Sequence, residues 1–139
     1  MRRRKAVKKA ALIKCSPYPF RVVACVGMDW REIKRAVEKY GETEIDREYA
    51  ENNFSLDDNT GGRYAAVPQD DSGYPLLFAL MFPDLKTLDG ATVAHECFHV
   101  LSWALPALGA DLERESGNEP WAYMLSYMME QIGEAFNAG

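Results

Sequence analysis

The stretch that decides the predicted fold is Thr92–Leu105, TVAHECFHVLSWAL. Its apolar residues recur at the spacing of an amphipathic helix, and Asp89 lies just upstream, where an aspartate caps a helix well. The sequence therefore predicts a helix over residues 91–105, ended by Pro106 and Gly109. The residues expected to pack into the core from this helix are Val93, Phe98, Leu101 and Leu105.

The only two histidines of the chain lie in this helix, as His95 and His99, with Glu96 directly after the first. Four residues are a little more than one helical turn, so both imidazoles project from the same face and can bind one cation. The pattern His-Glu-x-x-His is typical of a zinc site beside which the glutamate acts as a base. The helix is therefore predicted to carry a metal site.

A second signal follows at Ser116–Tyr123, SGNEPWAY. Glu119 lies twenty residues after His99 and opens another helical pattern, because Pro120 suits the first position of a helix. Two imidazoles from one helix and a carboxylate from the next leave a fourth position for water. That is the open arrangement of a catalytic zinc.

With its two motifs, the chain resembles a known family. The run His95-Glu96-x-x-His99, followed after eighteen residues by Asn118-Glu119, resembles the ligand spacing of the gluzincins, the thermolysin-like zinc metallopeptidases. The resemblance implies one Zn²⁺ per chain, bound by His95, His99 and Glu119. It also implies that Glu96 is the general base and that the protein hydrolyses peptide bonds.

A looser resemblance concerns the whole short chain. Its ending Asn118–Tyr127, NEPWAYMLSY, is similar to that of small zincin-like proteins encoded by bacteriophages and prophages. The two resemblances imply an α/β (α+β) fold with a minimal zincin-like core. In such a core we expect a small mixed sheet, a metal-binding helix and a C-terminal helix.

The chain departs from the larger peptidases at two positions. It has no third histidine to stabilise an oxyanion, and Tyr123 stands where that family tends to place an aspartate. We predict Glu96 and Tyr123 as the catalytic side chains. The candidate donors to the oxyanion are Tyr123, Tyr127, Tyr74 and Arg114. The alternative function is a non-catalytic zinc-binding structural or interaction protein of phage or prophage origin, because a site can persist while function changes.

The composition predicts one soluble globular domain, since 47% of the 139 residues are hydrophobic and 27% are charged. A chain of this length has no room for a second lobe, so a protein partner would be needed to complete a deep cleft around a peptide or protein substrate. No stretch approaches the ~20 apolar residues that cross a bilayer. The three cysteines are odd in number and lack Cys-x-x-Cys spacing, which favours a reducing compartment, the cytoplasm of the cell or of a phage host.

Charge is concentrated at the N-terminus, where the first fourteen residues contain seven Lys or Arg and no acid. This predicts a basic flexible arm over residues 1–17, followed by a single domain over residues 18–139. A solvated tail is the favoured interpretation of the arm, and binding to nucleic acid is the alternative.

Hydrophobic patterning predicts the remaining elements. They are a strand over residues 19–26, a helix over 30–40, strands over 63–67 and 74–82, and a C-terminal helix from residue 119. Residues 42–62 are predicted to form a loop with a short helical turn around 46–52. The strands over 63–67 and 74–82 could pair as a hairpin. Because Pro75 and Pro83 cannot donate ladder hydrogen bonds, residues 74–82 are predicted at a sheet edge, which by resemblance would receive an extended peptide. A buried core strand is the alternative.

Overall fold

The computed structural model describes residues 9–57, 61–68, 76–109 and 118–136. Within these ranges the chain forms a four-stranded mixed sheet, four α-helices and a short 3₁₀ helix over Leu85–Thr87. The strands are β1 (Ala10–Lys14), β2 (Phe20–Val26), β3 (Arg63–Ala66) and β4 (Leu76–Phe82). The helices are α1 (Trp30–Gly41), α2 (Arg47–Asn53), α3 (Gly90–Ala107) and α4 (Asn118–Phe136). The predicted fold class, a small mixed α/β fold, is therefore confirmed.

The strand order is β1-β2-β4-β3, with β4 in the interior of the sheet. β4 runs parallel to β2 and antiparallel to β3, so the predicted hairpin of β3 and β4 is confirmed. The predicted edge position of residues 74–82 is wrong. Pro83 follows the last residue of β4, where it ends the strand without interrupting a ladder, and Pro75 lies outside the described residues. The edge strands are β1 and β3.

β1 corrects the predicted N-terminal arm. It pairs antiparallel with β2 along its whole length, and Ala11 and Ile13 are buried in the core. The predicted boundary of the flexible arm at residue 17 is therefore wrong. Alternate side chains of β1 point to the same face of the sheet, and there Ala11 and Ile13 pack into the core. Residues 1–8, which hold five of the seven basic side chains in the first fourteen residues, lie outside the described part of the chain.

Side chains alternate along the strands between two sheet faces, and helices cover both. The face covered by α1 and α2 contributes Val23, Cys25, Ala65, Leu77, Ala79 and Met81. The face covered by α3 and α4 contributes Ala11, Ile13, Phe20, Val22, Ala24, Val26, Phe78, Leu80 and Phe82. The fold is thus three layers deep, with a core on each side of the sheet.

The predicted helix over residues 30–40 is confirmed as α1. Asp29 and Glu32 form a reciprocal capping box at its start, and Glu42 ends it in a left-handed conformation with φ of 52°. The predicted stop, Gly41, is still helical. A glycine suits position 41 for a packing reason, because a Cβ there would lie 2.5 Å from a methyl group of Leu77 on β4.

No helix in the described ranges is both long and apolar enough to cross a membrane.

Candidate metal centre

α3 carries the candidate site and begins as predicted. The Asp89 carboxylate accepts a hydrogen bond of 2.7 Å from the Thr92 N–H, and this bond holds the pKa of Asp89 below its usual range. Val93, Leu101 and Leu105 are buried, as predicted. Phe98 is not: it is 44% exposed, and its ring lies against that of Trp121 of α4, with the centroids 5.4 Å apart.

The two histidines of α3 converge. The Nε2 atoms of His95 and His99 lie 3.2 Å apart, and the His95 side chain is 67% exposed. A tetrahedral Zn²⁺ with ordinary zinc–nitrogen bonds holds two imidazole nitrogens about 3.4 Å apart. The pair therefore fits half of a tetrahedral site. Without a cation, the same distance suits an N–H···N hydrogen bond between neutral imidazoles.

Glu96 lies beside this pair and is only 6% exposed, which makes it the one buried charged side chain among the residues that the structure describes. Its Oε2 atom is 3.9 Å from Nε2 of His95. Gly62, just before β3, makes this position possible. A Cβ on Gly62 would lie 3.0 Å from Cγ of Glu96 and 3.3 Å from the Phe82 ring. The Glu96 side chain is therefore held in a mostly covered position next to the imidazole pair.

Tyr64 of β3 is a site residue that the sequence analysis missed. Its ring stacks on His99, with centroids 4.6 Å apart and planes 12° apart. The alternation of side chains along residues 63–67 could have shown that Tyr64 lies on the sheet face opposite to that of Arg63 and Ala65. The helix that Tyr64 would meet depends on β3 being the edge strand next to α3, which the sequence analysis did not predict.

An open groove of about 610 Å³ runs between β3 and α3. Its lining includes His95, Glu96, His99, Gly62, Tyr64 and Trp103. Val67 donates its N–H to the carbonyl of Leu77 on β4. Because antiparallel ladders alternate, the backbone groups of Tyr64 and Ala66 then face away from β4. The groove thus presents polar side chains of α3 beside the outward-facing backbone of an edge strand, on which the Ala66 carbonyl accepts a hydrogen bond from the Tyr49 hydroxyl.

The predicted third ligand, Glu119, belongs to no metal-holding group in the described ranges. Glu119 is exposed in the first turn of α4, and its neighbour Trp121 packs against Phe98. Across the described ranges, no three His, Cys, Asp or Glu side chains are grouped closely enough to hold a metal. The structure brings the two imidazoles together with Glu96 beside one of them. Neither Glu96 nor Glu119 completes a three-ligand group with them.

The predicted oxyanion donors lie outside the groove lining or outside the described residues. Tyr123 is 61% exposed and stacks on Tyr127 at a centroid distance of 6.4 Å. Tyr127 donates its hydroxyl to the Lys14 carbonyl, 3.1 Å away. Tyr74 and Arg114 lie outside the described residues. Among the described tyrosines, Tyr49 and Tyr64 line the groove with the histidine pair.

The cysteines pack in the core. Cys15, Cys25 and Cys97 are free and buried. Burial raises the pKa of Cys97 to about 12, with a further contribution from the nearby Glu96 carboxylate. The Cys97 thiol therefore stays protonated at neutral pH in the metal-free protein, as suits a side chain that packs in the core.

The chain matches no protein-family model, and it has no match among curated proteins or solved structures. Its function must therefore be inferred from its own residues.

Proposed function

We propose that this protein is a zinc-dependent metallopeptidase that binds its metal through His95 and His99 and uses Glu96 as the general base. The observation that carries the proposal is the 3.2 Å approach of the two Nε2 atoms beside a buried carboxylate, 3.9 Å from one of them. The structure supports this part of the sequence-based hypothesis. Glu119 as third ligand stays a prediction from the sequence pattern.

The residues of α3 divide the chemistry between them. A zinc ion held by the two imidazoles supplies Lewis-acid activation of water and of the scissile carbonyl. Glu96 takes a proton from the attacking water and passes it to the leaving amine. The space between Gly62 and Cγ of Glu96 is so narrow that a Cβ on Gly62 would lie 3.0 Å from Cγ. This limits the freedom of the Glu96 side chain and keeps its carboxylate near the histidines.

The open edge of β3 offers a place for a peptide substrate. An extended peptide could pair with the outward-facing N–H and C=O of Tyr64 and so lie along the groove above His95 and Glu96. The sequence predicted that residues 74–82 would receive the peptide. Because β4 is paired on both sides, we assign this role to β3 instead.

The alternative is a zinc-binding structural or interaction protein without catalytic activity. It is favoured by the two-histidine site, to which no described side chain adds a third ligand, and by the aromatic side chains of Phe98 and Trp103 exposed on the same helix. A partner protein could then complete the coordination and cover these rings.

The substitution Glu96→Gln separates the two functions. In the peptidase, kcat/KM on a fluorogenic peptide library should fall about 10²- to 10⁴-fold, since a general base is lost, while zinc content stays unchanged. Glu130→Gln, on the exposed side of α4, is the matched control and should leave both quantities unchanged. A zinc-loaded wild type that cleaves no peptide would favour the interaction protein, and full activity in Glu96→Gln would contradict the role of Glu96.

A further inference from the structure

β3 is tied to α2 through Arg63. The side chain of Arg63 points to the α2 side of the sheet, where it donates to the Ser55 carbonyl at 2.8 Å and to the Asn52 carbonyl at 3.1 Å. α2 has no basic residue in its own last turn. The guanidinium therefore satisfies the Asn52 carbonyl in the last turn of this helix and the Ser55 carbonyl just after it, and it fixes the start of β3.

A second tie fixes the other end of the strand. The Tyr49 hydroxyl donates to the Ala66 carbonyl, which faces away from β4. The Tyr49 ring packs edge-on against Phe54, with centroids 5.8 Å apart, and Phe54 is fully buried. β3 is thus an edge strand held at both ends by one anchored helix, whereas edge strands in general are held on one side only.

Tyr64 lies between these two ties and faces the opposite side of the sheet. There it covers one face of the His99 imidazole in a nearly parallel stack. Rotation of a histidine ring about χ2 is broad when nothing contacts the ring. The stack restricts the plane of the His99 ring in the orientation in which its Nε2 atom meets that of His95.

We propose that Tyr64 is a positioning residue for the metal centre: its ring, on the braced strand β3, holds the His99 imidazole in the orientation that binds the cation. This inference rests on the proposed metal site of His95 and His99. The ring face of Tyr64 carries the effect, and its hydroxyl is not needed. Partners that orient a ligating histidine commonly change metal affinity when they are substituted.

Substitution of Tyr64 followed by titration with Co²⁺ tests this role. Tyr64→Leu should lower Co²⁺ affinity about 10- to 100-fold and alter the visible absorption of the complex, whereas Tyr64→Phe, which keeps the ring, should match the wild type within about twofold. Tyr40→Leu is the matched control, because Tyr40 is also half-buried but lies on α1, across the sheet.

NMR of the metal-free protein gives an independent measurement, since the chain has only two histidines to assign. The ring protons of His99 should show an upfield ring-current shift in the wild type and in Tyr64→Phe, and this shift should disappear in Tyr64→Leu. Signals that disperse as in the wild type will show that Tyr64→Leu is folded.

Two results would overturn the inference, and they are distinguishable. If the wild type binds Co²⁺ and Tyr64→Leu binds it equally well, Tyr64 has no positioning role and the proposed metal site survives. If the wild type binds no Co²⁺, the metal site fails and the positioning role fails with it, even where the NMR shift confirms the stack.

Discussion

The two faces of the sheet differ in what their side chains do. The face covered by α1 and α2 is apolar packing with capped helix ends, and its buried residues stabilise the fold. The face covered by α3 and α4 also buries a large apolar core, but at its rim it holds Glu96 and the two histidines. The α1/α2 face therefore contributes packing alone, whereas the α3/α4 face carries both packing and the candidate site. β3 contacts both sides, with Arg63 on one and Tyr64 on the other.

The largest expected effect comes from a substitution in the core under α1 and α2, away from the candidate site. Ile33 of α1 is 1% exposed, so Ile33→Ala should lower the free energy of unfolding by about 2–5 kcal/mol through lost burial and a cavity. Ile33→Val, which removes one methyl group, should cost about 0.5–1.5 kcal/mol. Urea unfolding measures both. Zinc affinity of the folded fraction should not change, and a parallel loss of affinity would show that the two faces are not separate.

The next effect concerns the site face and appears only with metal. Zinc at a hundred times its Kd should raise the free energy of unfolding of the wild type by about 2.7 kcal/mol, because only the folded chain presents the converged pair. The double variant His95→Ala/His99→Ala should gain nothing from zinc. Thermal or urea unfolding with and without zinc checks this. Equal stabilisation of both proteins would place the metal elsewhere.

A smaller effect tests the contact of β3 with Glu96. In Gly62→Ala the new methyl group meets Glu96 and Phe82 at 3.0–3.3 Å, so we expect a loss of about 1–3 kcal/mol from overpacking, together with reduced hydrolysis. Gly61→Ala is the matched control, since among the described residues its Cβ would meet only Thr92, at 3.9 Å. If the two variants have the same free energy of unfolding and the same rate of hydrolysis, Gly62 does not support the position of Glu96.

The smallest effect is the pH dependence of the α3 cap. The Thr92 N–H lowers the pKa of Asp89, so the cap stabilises the folded state fully above the ordinary aspartate pKa, about 4, and loses this effect as the pH falls through the lowered value. Asp89→Asn keeps a capping side chain that does not titrate. The melting temperature of the metal-free wild type should therefore fall relative to that of Asp89→Asn between pH 5 and pH 2. A difference that stays constant over this range would contradict the cap.

Most of α3 could be predicted because its determinants are local. The Asp89 cap, the apolar spacing and the four-residue step between the histidines all follow from helix geometry, whatever the rest of the chain does. The approach of the two Nε2 atoms is also a local feature of the helix, so it could be predicted. The position of Glu119 does not, since it depends on how α4 packs against α3 and on the loop before it, which lies outside the described residues.

Strand order and strand ends were harder to predict, for different reasons. The prolines near 74–82 limit hydrogen bonding only at the ends of that strand, so they could not reveal that β4 is paired on both sides. β1 has only two buried positions, Ala11 and Ile13, within a strongly basic segment, and its pairing with β2 is a contact that periodicity does not show. The role of Tyr64 depended on the strand order.

The most direct test of the central claim is the zinc content of the untagged protein, measured by elemental analysis after gel filtration in a buffer with micromolar zinc. We predict about one zinc per wild-type chain and a value near zero in His95→Ala and in His99→Ala. Glu119→Gln, measured beside them, tests the predicted third ligand separately. A wild type that retains no zinc, or a zinc content unchanged in both histidine variants, would contradict the proposed metal centre.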